Sequence, residues 1–218
     1  MTTTLKIGFY GHSICSSHAI GTYIHDITSH FNATLVNIGT GRGSEERTLF
    51  ELKKTTPDVA IIFHSHPRLI FMPNLWRDLD INDVNDHVLN LITNKYKGTS
   101  GSVPYTQQEQ EQLALDTIPN AFELYKKHFY NPEVAINRFG GTLLMIDSYC
   151  LSKVKTVIHI PGVKLPEWFE FKSGVVLHQL SKFVTQDKDP TQPNGLSKQN
   201  NIIMRDTLIA EIEKRLIH

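Results

Sequence analysis

Gly11-His12-Ser13 stands directly after the short apolar run of residues 5–10, and a helical pattern follows it. A strand that ends in Gly-x-Ser and leads into a helix presents a side chain at the carboxyl edge of a parallel sheet, where open α/β folds keep their ligand sites. Ser13 is therefore a candidate nucleophile, with simple capping of the next helix as the competing role. Acyl transfer by serine also needs a base for the hydroxyl proton and backbone N–H groups aimed at a developing oxyanion. The turn Gly39-Thr40-Gly41-Arg42-Gly43 offers bare backbone, and Phe63-His64-Ser65-His66-Pro67 offers imidazoles. His12, His64 and His66 are the candidate bases; on an extended segment the last two point the same way. The same residues support a second chemistry. His12, His64 and His66, with Asp147 at the end of a later apolar run, could ligate zinc or another divalent metal.

These residues need a sheet to bring them together, and the pattern supplies one. Apolar runs at 5–10, 33–38, 59–63, 141–146 and 156–160 read as strands. They alternate with helical spacing at 17–31, at 45–55 (closed by Pro57), at 113–139 (broken at Pro119 and Pro132) and at 200–217. Residues 175–183 fit strand or helix, and 187–194 read as loop. The order predicts a three-layer α/β/α fold with a five-stranded, mostly parallel sheet of SGNH or flavodoxin-like form. One domain spans 1–218, with an insertion at about 68–112 that contains Trp76 and the acidic residues Asp78, Asp80, Asp83 and Asp86. Connections of that length are usually functional, so the insertion is expected to border the site or a neighbouring subunit.

The set of motifs, in this order, resembles the SGNH (GDSL-like) hydrolase superfamily, whose members carry a first-block Gly-Asp-Ser, a second-block glycine, a third-block Gly-x-Asn-Asp and a late Asp-x-x-His. Gly11-His12-Ser13 looks like the first block, with histidine in place of aspartate, and Gly41 or Gly43 looks like the second. Phe63-His64-Ser65-His66-Pro67 occupies the third, with His66 nearest the asparagine position. Gln192-Pro193-Asn194-Gly195-Leu196-Ser197 occupies the fifth and is similar to the Asn-His-Leu-Ser variant of divergent, phage-type members, with Gly195 where that histidine stands. The resemblance implies a serine esterase, with carbohydrate O-deacetylation as a specific case. Ser13 would be the nucleophile, the Ser13 and Gly41 N–H groups would form the oxyanion hole, and His66 or Asn194 would assist. It equally implies a rival: a domain that has lost its base and binds glycans or serves as a structural part of a phage particle.

Composition narrows the partners. Lysine plus arginine and aspartate plus glutamate number 22 each, so the formal charge is zero and no global field draws the chain to nucleic acid or to anionic membrane. No run approaches the roughly 20 apolar residues that span a bilayer, and no basic segment followed by an apolar one marks a secretory signal at the N-terminus. Two cysteines, Cys15 and Cys150, form no disulfide framework. The expected location is cytoplasmic or virion-associated. The expected partner is a small acyl ester or an acylated glycan, with self-association or virion association, and no cofactor is expected. Cys15 reads as a packed small residue, and Trp168-Phe169, after the 156–160 strand, as aromatics that either stack on a sugar or anchor a loop.

Overall fold

The computed structural model describes residues 4–39, 43–72, 77–80, 124, 127–185 and 194–217. Strand β1 (Lys6–Gly11) leads through a 3-10 turn (Ser13–Cys15) to helix α1 (Tyr23–His30), strand β2 (Thr34–Asn37), helix α2 (Glu45–Thr55) and strand β3 (Val59–His64). A two-stranded antiparallel unit, β4 (Leu69–Met72) with β5 (Arg77–Asp80), follows. The chain continues with α3 (Pro132–Lys153), β6 (Thr156–Pro161), β7 (Val175–Val176), a second 3-10 turn (His178–Leu180), the short α4 (Ser181–Thr185) and α5 (Lys198–Leu216).

The main sheet has the order β2-β1-β3-β6-β7, and each of its pairings is parallel. Strand residues alternate strictly between two cores. Ile7, Phe9, Ile61, Phe63, Ile158 and Ile160 pack against Ile24 and Ile27 of α1 and Met204, Leu208 and Ile212 of α5. Tyr10, Ala60, Ile62 and Val157 pack against Leu49 and Leu52 of α2 and Ile146 and Cys150 of α3. With both faces covered, β1, β3 and β6 read as unbroken apolar runs, as parallel strands do. The chain reverses direction across the sheet between β1 and β3. The carboxyl ends of those two strands therefore flank the crevice where open α/β sheets bind ligands.

One expected strand is a helix. Residues 141–146 lie inside α3, so the fourth strand of the sheet is β6, and the fifth is β7, from the stretch that fitted either class. The physical reason is the spacing of the buried residues. Phe139, Leu143, Ile146 and Cys150 recur at three- and four-residue intervals and line one buried face. Gly140 and Gly141, which look like a helix stop, sit mid-helix; the Trp168 ring lies where a Gly140 side chain would be. Pro132 opens α3 rather than breaking a helix: it stands in the first turn, where its missing N–H costs nothing, and Asn131 accepts hydrogen bonds from Glu133 N and Val134 N. Most of the 68–112 insertion, including Trp76, Asp83 and Asp86, and most of the expected 113–139 helix lie outside the described residues.

Gly11 makes the exit from β1 possible. Its φ is +97°, and a Cβ there would collide with the Phe63 carbonyl oxygen of the paired strand. Gly21 also has positive φ (+87°), but nothing lies within 4 Å of its Cβ direction. Gly11→Ala should therefore lower unfolding stability by roughly 3 kcal/mol, combining backbone strain and overpacking, while Gly21→Ala should cost only about 1 kcal/mol. Urea denaturation of both variants measures the difference; equal losses would remove the close packing of β1 on β3 as the cause.

Candidate functional site

The residues after Gly11 are held by their own carbonyl groups. Cys15 N and Cys15 Sγ donate to His12 O at 3.1 and 2.8 Å. Ser16 N and Ser16 Oγ donate to Ser13 O at 3.0 and 2.6 Å, and the buried Tyr23 hydroxyl donates to Ile14 O at 3.1 Å. The turn is fixed from below and leaves Ser13 half-buried at the sheet edge. There Ser13 Oγ lies 3.2 Å from His12 Nδ1. Ser13 and Ile14 open the 3-10 turn, so their N–H groups have no acceptor within it.

The β2–α2 connection closes onto this exit. A side chain on Gly39 would strike Cys15 Sγ, and one on Gly43 would strike the Gly11 carbonyl. Asn37 adds a tie from its side-chain amide to Phe9 O at 2.7 Å. Both ends of the glycine-rich turn are thus packed against β1; Gly41, between them, lies outside the described residues. On the other side, Gly11 pairs with Phe63, so Ser13 and His66 leave neighbouring strands at the same edge. His66 turns the chain toward β4: its Nδ1 accepts from Arg68 N at 3.2 Å and its carbonyl from Leu69 N at 3.0 Å. An Nδ1 that accepts places the imidazole proton on Nε2.

His64 does not share that surface. It is buried under the sheet, with Nδ1 on Glu45 and Nε2 on His159. The expectation that His64 and His66 project together fails because β3 ends at His64 and the chain turns before His66. The metal set fails with it. Asp147 belongs to α3, not to a strand end, and its carboxylate accepts from Lys172 N, Ser173 N and Ser173 Oγ. Among the described residues no three His, Cys, Asp or Glu side chains are arranged to hold a metal ion.

Asn194 acts as a fastener in this structure. Its Nδ2 donates to Asn201 Oδ1 at 2.8 Å, and its Oδ1 accepts from Leu196 N at 3.2 Å. Asn201 in turn donates to Leu196 O and accepts from Tyr23 N, which joins the loop, α1 and α5. Leu196 fills the core and Ser197 caps α5. Gly195 turns the loop at φ +73°, and none of the described residues lies within 4 Å of its Cβ direction. The cysteines are not nucleophiles here: burial pushes the Cys150 thiol up to about 12 and that of Cys15 further still.

Sequence reasoning missed Glu45, His159 and Ser173, which join His64 and Asp147 in a buried polar line. The available signal was a histidine inside the apolar run Val157-Ile158-His159-Ile160. It also missed an open groove of about 450 Å³ beside the end of β6, lined by Val163, Lys164, Leu165, His178 and Lys182 among others. Trp168 is largely exposed, while Phe169 packs with Phe139 and Leu143.

Comparison with known proteins gives no match: no family model fits the chain, and no curated protein or solved structure is significantly similar to it.

The contrast between Ser13 and Asn194 can be measured. Asn194→Ala removes the two side-chain hydrogen bonds between Asn194 and Asn201 and the acceptor of Leu196 N, and should lower stability by about 2 kcal/mol, whereas Ser13→Ala should change it by less than about 0.5 kcal/mol. Chemical denaturation of the two variants checks this; an Asn194→Ala protein as stable as wild type would show that the fastening does not matter.

Proposed function

We propose that the chain is an SGNH-like serine ester hydrolase of low turnover, in which Ser13 attacks the acyl carbon and His12 takes its proton. The observation that carries this reading is the Ser13 Oγ to His12 Nδ1 approach of 3.2 Å, at a half-buried position beside the crevice between β1 and β3. As the bond from Oγ to the carbonyl carbon forms, the hydroxyl proton passes to His12 Nδ1. The negative oxygen is received by the N–H of Ser13, by backbone of the glycine-rich turn at Gly41, and by the Nε2–H of His66, which takes the part of the block-three asparagine. Protonated His12 then gives its proton to the departing alkoxide. Water attacks the acyl-serine with His12 again as base, which releases the acid and restores Ser13.

The substrate on this reading is a small acyl ester or an acylated glycan. The groove beside β6 lies on the same sheet edge and offers Val163 and Leu165 to an apolar portion and Lys164, His178 and Lys182 to polar groups. Turnover is low because Gly195 brings no imidazole to the fifth-block position. A positioned base contributes roughly two to four orders of magnitude. A second reading, a glycan-binding or virion structural domain without activity, draws on the same loop, where the Asn194 amide is engaged by Asn201 and Gly195 adds no functional group.

Hydrolysis of p-nitrophenyl acetate by four proteins tests the proposal. Wild type should turn over slowly, Ser13→Ala should abolish turnover, and His12→Ala should reduce it by roughly 10²-fold or more. Gly195→His should raise it if the new side chain reaches Ser13; none of the described residues blocks its Cβ position, although the backbone there disfavours a non-glycine residue. Wild-type turnover unaffected by Ser13→Ala would overturn the serine mechanism, and no turnover in any protein would assign the binding or structural role.

A further inference from the structure

Between the sheet and the α2–α3 layer, five side chains form one line of hydrogen bonds that the ester-hydrolase reading does not use. Glu45 Oε2 meets His64 Nδ1 at 3.0 Å, and His64 Nε2 meets His159 Nδ1 at 2.9 Å. His159 Nε2 meets Ser173 Oγ at 3.0 Å, and Ser173 Oγ meets Asp147 Oδ1 at 2.6 Å. All five residues are buried, with at most 4% of their surface exposed. The Phe171 ring stacks on His159 with centroids 3.7 Å apart and on His64 at 4.8 Å.

Counting protons constrains the charge of this line. Each of the four contacts needs one hydrogen between its two heavy atoms, because two facing lone pairs at these distances repel. Two neutral imidazoles and one hydroxyl supply only three. Asp147 is an acceptor throughout, since it also receives Lys172 N and Ser173 N, so the Ser173 hydrogen points to Asp147. His159 must then donate from Nε2 to Ser173 and accept at Nδ1 from His64 Nε2–H. That leaves the contact between His64 Nδ1 and Glu45 without a hydrogen. We propose that the line is a buried proton-binding site that keeps one further proton between His64 and Glu45, so that its net charge is −1, and that through Glu45 this proton secures the exit of β3. The second oxygen of Glu45 accepts Ser65 N–H at 2.7 Å, one residue before His66.

The surroundings agree with this assignment. Burial and the neighbouring His64 hold His159 well below the ordinary imidazole range, which keeps it neutral. From α2, Glu46 faces the same layer, and burial raises its carboxyl despite Arg138. From α3, Arg138 pairs with Glu46 at 2.9 Å and donates to Pro67 O and Leu69 O, and burial keeps the Cys150 thiol neutral. Tyr10 of β1 is a neutral phenol on Thr55, its pKa raised by burial. Glu170 and Lys172 carry their charges outward, with exposed side chains that pair with each other.

The sign of the pH dependence follows. The folded protein keeps a proton that a free imidazole releases above about pH 6.5, so the unfolded state binds one fewer and stability falls as pH rises. Glu45→Gln removes the need for it: the amide N–H can donate to neutral His64 while the amide oxygen still accepts Ser65 N–H. Between about pH 7 and 8.5 the unfolding constant of wild type should therefore rise about tenfold per pH unit more steeply than that of Glu45→Gln. Nitrogen-15 NMR of wild type at about pH 7.5 should show His64 with both ring nitrogens protonated and His159 protonated at Nε2 alone. Parallel pH slopes, or a neutral His64 beside an ionised Glu45 carboxylate in the spectra, would overturn the proposal. The spectra decide alone if Glu45→Gln does not fold.

Discussion

A parallel sheet covered by helices on both faces offers its strands no water, so a polar side chain on an inner position must find its partners inside the protein. His64 on β3 and His159 on β6 are two such side chains. In the strand register Ile62 stands opposite His159 and His64 opposite Pro161, which sets the imidazoles diagonally on one face and lets them bond at 2.9 Å. Their remaining nitrogens then dictate what the other layer must contain. Glu45 has to open α2 facing inward, and Ser173 has to reach His159 just before β7. Asp147 has to point inward from the middle of α3, which fixes the rotation of that helix. A helix with apolar residues around most of its circumference has little else to set its facing.

The carboxyl edge depends on a different constraint, close backbone approach. Gly11 lies against the Phe63 carbonyl, and Gly39 and Gly43 lie against the β1 exit from the other side. The β1 exit is therefore packed closely between β3 on one side and the β2–α2 connection on the other. Ser13 and His12 stand above this packing on a turn whose His12, Ser13 and Ile14 carbonyls are tied down, which restricts the freedom of the pair. A nucleophile held by a rigid turn needs little reorganisation before it reacts.

Much of the architecture was legible because its signals are local. The runs at β1, β2, β3 and β6 and the spacing of α1, α2 and α5 can be read within windows of ten to twenty residues. The structure moves these boundaries by one or two residues, except that α1 begins at Tyr23 rather than at 17. Residues 141–146 misled because a double glycine before a short apolar run imitates a turn and a strand. Only the longer spacing from Phe139 to Cys150 reveals the helix. The site was legible in part. Gly11 and Ser13 announce themselves by type and place, but the engagement of Asn194 by Asn201 requires knowing that the loop returns to α1 and α5. Of the polar line, only His159 left a trace in the sequence, as a histidine inside an apolar run. The members of the line lie 19, 95, 14 and 26 residues apart, and no local pattern encodes which strands pair.

The two polar systems meet at Phe63-His64-Ser65-His66, and the way a strand ends explains how. While β3 remains paired, alternation sends Phe63 to the α1–α5 side and His64 to the α2–α3 side. Past His64 the ladder stops, Gly162 N takes the His64 carbonyl at 3.0 Å, and the chain turns outward to His66. Two histidines two residues apart therefore lie in opposite settings, one without solvent contact and one at the edge. Glu45 links them, since one carboxylate oxygen holds the His64 imidazole and the other holds Ser65 N–H. A change in the charge of that carboxylate acts on both oxygens together. Whatever alters the protonation of the buried line must therefore also alter the grip on the backbone that carries His66, and the coupling runs through a single side chain.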